Sequence, residues 1–138
     1  MKEGRIVLAE DDARVRHALY DLLVAWGYQV ASARDGIEAL EKVAQFDPAV
    51  VVSDMRMPRM NGAELVRILR AKNPALKFIL YSGMRLDEGD IVDLADVCFI
   101  QKPFDPDRLR EEVSRCLAPP TEFESRSRGR AGPQEGAK

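Results

Sequence analysis

Short unbroken apolar runs alternate along this chain with stretches whose apolar residues return every three or four positions. That alternation restricts the fold more than any other feature. Ile6-Val7-Leu8-Ala9, Ala49 to Ser53 and Phe78-Ile79-Leu80-Tyr81 are short and lack polar alternation, so they read as strands buried on both faces. Tyr28 to Ala33 and Val97 to Ile100 complete a set of five. Between them, Val15, Leu19, Leu22, Leu23 and Trp26 lie at helical spacing and stop at Gly27. Asp35 is placed to cap a helix carrying Ile37, Leu40 and Val43, which Pro48 ends, and Asn61 to cap one carrying Leu65, Val66 and Leu69. A weaker pattern predicts a helix over 87–95. Asp105-Pro106 opens a last helix with Leu109, Val113, Cys116 and Leu117 on its inner face. Strands alternating with helices imply right-handed crossovers, and hence an α/β, doubly wound parallel sheet of five strands covered by helices on both faces.

Composition narrows the function. Lys plus Arg number 21 against 23 Asp plus Glu, a net charge of −2. That balance gives no general drive toward nucleic acid or an acidic membrane surface. No apolar run approaches the roughly 20 residues of a membrane span. The two cysteines, Cys98 and Cys116, suggest no disulfide framework, so a reducing, cytoplasmic setting is expected. Residues 119–138 hold three Gly and three Pro, with Phe123 the one large apolar side chain. Such a segment cannot offset its ordering entropy by burial. It is expected to be a disordered tail or a truncated linker behind a domain over residues 1–118.

In a doubly wound sheet the working groups collect at the carboxyl ends of the strands. Glu10, Asp11 and Asp12 follow the first strand, Asp54 ends the third, Ser82-Gly83 the fourth, and Lys102-Pro103 the fifth. Taken singly, each is a common turn or cap. Together they fall at the same structural position of different units. Two carboxylates about 4 Å apart repel by about 4 kcal/mol at an effective dielectric near 20, and a hard divalent cation removes that cost. A carboxylate nucleophile, a metal, a fixed cation and a hydroxyl make a phosphoryl-transfer set.

The segments Leu8-Ala9-Glu10-Asp11-Asp12, Ser53-Asp54-Met55-Arg56-Met57-Pro58-Arg59-Met60-Asn61-Gly62, Tyr81-Ser82-Gly83 and Gln101-Lys102-Pro103-Phe104 resemble the receiver domain of bacterial two-component response regulators. The resemblance implies a flavodoxin-like strand order 2-1-3-4-5. It implies that Asp54 accepts a phosphoryl group from a phosphohistidine on a sensor histidine kinase or histidine phosphotransfer protein. Mg2+ would be bound directly by Asp12, Asp54 and the Arg56 carbonyl, with Asp11 acting through water. Ser82 and Lys102 would hold phosphoryl oxygens, and the Lys102-Pro103 peptide would be cis. Ser82 and Phe99 occupy the switch positions. Output would pass to a downstream protein target or a fused output domain.

Ser82 stands where threonine is commoner, and Phe99 lacks the hydroxyl of the commoner tyrosine. Two other readings compete. A receiver that works without phosphate is disfavoured by the full set of Asp11, Asp12, Asp54, Ser82 and Lys102. An aspartyl phosphatase needs a general-acid Asp two residues after the nucleophile, where this chain has Arg56. The expectation is a switch that catalyses its own phosphorylation and dephosphorylation, not a turnover enzyme.

Overall fold

The five apolar runs form five strands in the computed structural model, which describes residues 4–83 and 97–117. The strands are β1 (Arg5–Ala9), β2 (Gln29–Ala33), β3 (Val50–Asp54), β4 (Lys77–Ser82) and β5 (Cys98–Gln101). The helices are α1 (Ala13–Ala25), α2 (Gly36–Phe46), α3 (Gly62–Lys72) and α4 (Pro106–Leu117). Every strand pairing is parallel, in the order β2-β1-β3-β4-β5, as expected. The helix expected over 87–95 and the tail over 119–138 lie outside the described residues.

Side chains alternate between the two faces of the sheet, as the strand period requires. Val7, Val51, Phe78 and Leu80 meet Leu65, Val66 and Leu69 of α3. Ile6, Leu8, Val50, Val52 and Ile79 meet Leu19 and Leu23 of α1 and Leu109 and Val113 of α4. β1, β3 and β4 therefore carry apolar side chains on both faces, which is why they read as unbroken runs. β4 starts one residue before its apolar run because the Lys77 amide donates to the Ala49 carbonyl at 3.2 Å. Ladder hydrogen bonds take in polar residues that a hydrophobic pattern omits.

Capping fixes where each helix begins, and so where each strand-end loop stops. Asp12 Oδ1 accepts from the amides of Arg14 (2.9 Å) and Val15 (3.2 Å). Asn61 and Glu64 form a reciprocal capping box at α3. Gly62 allows α3 to start directly against the end of β3. A Cβ there would fall 2.9 Å from the Asp54 carbonyl oxygen and 3.1 Å from Met55 Cα, so a side chain would displace the backbone that carries Asp54.

Asp35 caps α2 through the Glu38 amide at 2.8 Å and pairs with the Arg59 guanidinium. The Glu38 amide first, and Arg59 second, hold its carboxyl below the ordinary value of 3.8. A depressed folded pKa contributes stability above the unfolded value and loses it as pH falls through the folded one. Asp35→Ala is expected to destabilise by about 1 kcal/mol at pH 7. The gap to wild type should narrow below about pH 4, as urea unfolding at pH 7 and at pH 3 would measure.

Candidate functional site

The parallel order brings the ends of β1, β3, β4 and β5 to one edge of the sheet. Asp54, the last residue of β3, is 6% exposed. Its Oδ1 accepts from the Arg56 amide at 3.0 Å, and its Oδ2 lies 3.3 Å from Lys102 Nζ. Lys102 follows β5, its amide donates to the Ser82 carbonyl at 2.7 Å, and the Lys102-Pro103 peptide is cis. Ser82, the last residue of β4, is buried beside Asp54's register partner Tyr81. Asp54, Ser82 and Lys102 thus share the edge as expected. Phe99 is half-buried against the α3 side of the core.

The acidic cluster differs by one residue from the expected one. Carboxylate oxygens of Glu10, Asp11 and Asp54 lie within 4.8 Å of one another, the one such group of three or more His, Cys, Asp or Glu among the described residues. Asp12, expected as a direct ligand, is instead the N-cap of α1. The amides of Val15 and Arg14 hold its carboxyl below the ordinary range, because both donate to its charged form. The third carboxylate of the observed cluster is Glu10, the first residue after β1. A signal was present: of three acids before a helix, the last is the natural cap.

Glu10 is 1% exposed. Burial raises its carboxyl pKa above the ordinary value, opposed by hydrogen bonds from the Tyr81 hydroxyl (2.6 Å) and the Asp12 amide (3.0 Å). The Tyr81 hydroxyl is pushed far up, by burial first and the Glu10 charge second. The Arg16 guanidinium bonds the Glu10 carbonyl at 2.9 Å and fixes the β1–α1 turn from behind. Neither the Tyr81–Glu10 contact nor the Arg16 contact was expected from sequence.

Three carboxylates beside one lysine form an all-oxygen donor set of net negative charge. That is the chemistry of a hard divalent cation site, and the residues fit one. Arg56 lies in the loop after β3, exposed at the rim of the cluster.

This fold and site define a receiver. Residues 6–114 match the response regulator receiver domain family, and the chain belongs to it. The chain is 33% identical over 114 residues to the chemotaxis protein CheY of Thermotoga maritima, covering 80% of this chain and 95% of that protein. It is 32% identical to the probable transcriptional regulator ycf29 of Pyropia yezoensis, over 83% of this chain but only 53% of that one. The chain therefore spans about half of one such relative and nearly all of another. The signal receiver domain of a signal transduction histidine kinase from Syntrophus aciditrophicus superposes with a TM-score of 0.72 at 31% identity, covering 83% of this chain and 89% of that chain. Receiver domains are signalling switches. No helix among the described residues is long and apolar enough to cross a membrane.

Like charges held within 4.8 Å oppose folding when no cation is bound. Asp54→Asn is expected to raise the melting temperature in EDTA at low salt, by the equivalent of about 1 kcal/mol. The rise should shrink only in part in high salt, which screens the exposed Asp11 far more than the buried Glu10 and Asp54. Calorimetric scans at two ionic strengths would measure both effects.

Proposed function

We propose that this chain is a phosphorylatable switch that takes a phosphoryl group from a partner phosphohistidine onto Asp54. The observation that carries this reading is the contact of Lys102 Nζ with Asp54 Oδ2 at 3.3 Å, beside the Glu10 and Asp11 carboxylates. An Asp54 oxygen attacks phosphorus, the P–N bond to the imidazole breaks, and its electron pair stays on the ring nitrogen. Lys102 offers an ammonium to the equatorial oxygens and Ser82 a hydroxyl. The Arg56 amide, already donating to Oδ1, orients the carboxylate. Glu10, Asp11 and Asp54 would hold Mg2+, with the Arg56 carbonyl as a further ligand. The cation supplies positive charge against both the carboxylates and the phosphoryl group.

Arg56, two residues after the nucleophile, cannot act as a general acid or base near neutral pH. This favours a held phosphoryl group over turnover. Register supports Ser82 and Phe99 as the switch pair. Ser82 pairs with Gln101 and Leu80 with Phe99, so the hydroxyl and the aromatic ring lie on adjacent strands near one edge. Residues 1–118 would form the domain and 119–138 a tail or linker. The setting would be cytoplasmic, with output through protein contact or a domain outside this chain.

The partner, a sensor histidine kinase or histidine phosphotransfer protein, would dock over α1 and the loop after β5. Val15 and Leu19 of α1 with Lys102, Pro103 and Phe104 line a groove of about 490 Å3 that opens beside Lys102. Tyr20 and Val24 stand exposed on α1. Arg16, which sequence spacing also puts on the outward side, is occupied by the Glu10 carbonyl and belongs to the site's support.

Acetyl phosphate with Mg2+ is expected to add one phosphoryl group to the wild type and none to Asp54→Asn, read by intact-protein mass spectrometry. Stoichiometric labelling of the variant would overturn the assignment. Tyr20→Ala is expected to slow phosphotransfer from a phosphohistidine protein while leaving labelling by acetyl phosphate unchanged, since the small donor needs no docking surface. Equal slowing with both donors would place the defect in the site.

A further inference from the structure

Tyr81 is the largest fully buried side chain among the described residues, and it touches Glu10 and Lys102, which border Asp54, and Phe104. Its hydroxyl donates to Glu10 Oε1 at 2.6 Å. Lys102 Nζ lies 5.0 Å from its ring centroid. The Phe104 ring packs against it, with centroids 5.8 Å apart and planes at 59°. Its carbonyl accepts from the Met55 amide at 2.8 Å, which ties β4 to the residue after Asp54. The phosphoacceptor chemistry uses none of these contacts directly.

Glu10 has a two-carbon stem, so its carboxylate can rotate through several orientations. Here both oxygens are engaged, Oε1 by Tyr81 and Oε2 by the Asp12 amide at 3.0 Å. Each oxygen keeps a further lone-pair direction. The carboxylate is therefore held in one orientation while still able to accept from a cation or its water. A buried carboxylate with one donor removed would turn toward whatever else could satisfy it.

We propose that Tyr81 is a positioning residue of the metal site. Its hydroxyl fixes the Glu10 carboxylate toward Asp11 and Asp54, so that the cation meets a preorganised cluster, and its ring seats the Lys102 ammonium. The inference rests on the Mg2+-dependent reading above and adds to it a residue that touches neither cation nor phosphoryl group. Outer partners that orient a ligand commonly change metal affinity by about tenfold or more.

The test is Mg2+ titration by calorimetry, at one pH and without phosphodonor, on the wild type, Tyr81→Phe, Glu10→Gln and the double variant. Tyr81→Phe keeps the ring against Lys102 and Phe104 and deletes only the hydroxyl. It is expected to weaken Mg2+ binding by about tenfold. The same change in the Glu10→Gln background is expected to have little further effect, because the hydroxyl acts through the Glu10 carboxylate. A purely structural hydroxyl would lower the melting temperature in EDTA and leave the Mg2+ dissociation constant unmoved, which would overturn the proposal. An equal loss of affinity in both backgrounds would overturn it too. Glu10→Asp tests the same contact should Tyr81→Phe fail to fold. Its shorter stem cannot span both donors, and unchanged Mg2+ affinity there would count against Tyr81. Wild type that binds no Mg2+ at millimolar concentration removes the metal-dependent reading itself, and this inference with it. Wild type that binds while Tyr81→Phe binds equally removes the inference alone.

Discussion

Three carboxylates held within 4.8 Å of one another define what the rest of the molecule has to do. In water such groups would separate, because each pair repels by about 1 kcal/mol or more at this range. Here the backbone holds them together. Glu10 and Asp11 leave β1, Asp54 ends β3, and the two strands are hydrogen-bonded neighbours. Lys102 arrives from β5, two strands away from β3, and offsets part of the charge at 3.3 Å. The energy that keeps the cluster assembled comes from the apolar side chains beneath it. Ile6, Val7, Leu8, Val50, Val51, Val52 and Ile79 are fully buried, each side chain contributing about 1.5–3 kcal/mol of transfer free energy.

The polar groups of the site are secured by neighbours that are themselves fixed. Glu10 is held by Tyr81 and the Asp12 amide, and its carbonyl by Arg16. Asp54 is held by the Arg56 amide, and its carbonyl accepts from Ser53 Oγ at 2.8 Å. A buried polar group without such partners would carry the full cost of its lost hydration. These neighbours therefore hold the geometry of the cluster.

Much of this was legible in the sequence, for identifiable reasons. Strands buried on both faces must be continuously apolar, so β1, β3 and β4 announced themselves. Asp35 and Asn61 sit just before apolar stripes and do cap α2 and α3. The clustering of Asp54, Ser82 and Lys102 followed from the topology once the sheet was parallel. The identity of the β1 carboxylates did not follow. Three consecutive acids offer two possible adjacent pairs, and the choice depends on which one turns to cap α1. Asp12 does, because the helix starts at Ala13 and its first amides need an acceptor, which leaves Glu10 and Asp11 for the cluster. The Tyr81–Glu10 bond spans 71 positions, and nothing local marks it. The Arg16 bond to the Glu10 carbonyl spans six positions and leaves the helix, so helical spacing does not mark it, and the long side chain reaches back to it.

The loop that follows Asp54 is tied to α2. Arg59 adopts φ 70°, a left-handed conformation that costs a non-glycine residue about 1–2 kcal/mol. Glycine would adopt it freely, yet it could not make the contact observed here. The Arg59 guanidinium pairs with Asp35, the N-cap of α2. The next residue, Met60, packs over Gly36, where any Cβ would meet its side chain at 2.7 Å. The β3–α3 loop is thereby fastened to α2 at two consecutive residues, by charge at one and by close packing at the other. Arg56 lies between Asp54 and this attachment. The backbone amide that orients Asp54 thus belongs to a loop anchored at both ends, by the sheet on one side and by α2 on the other. The left-handed residue of the loop and the residue that forms the ion pair are thus one and the same, Arg59.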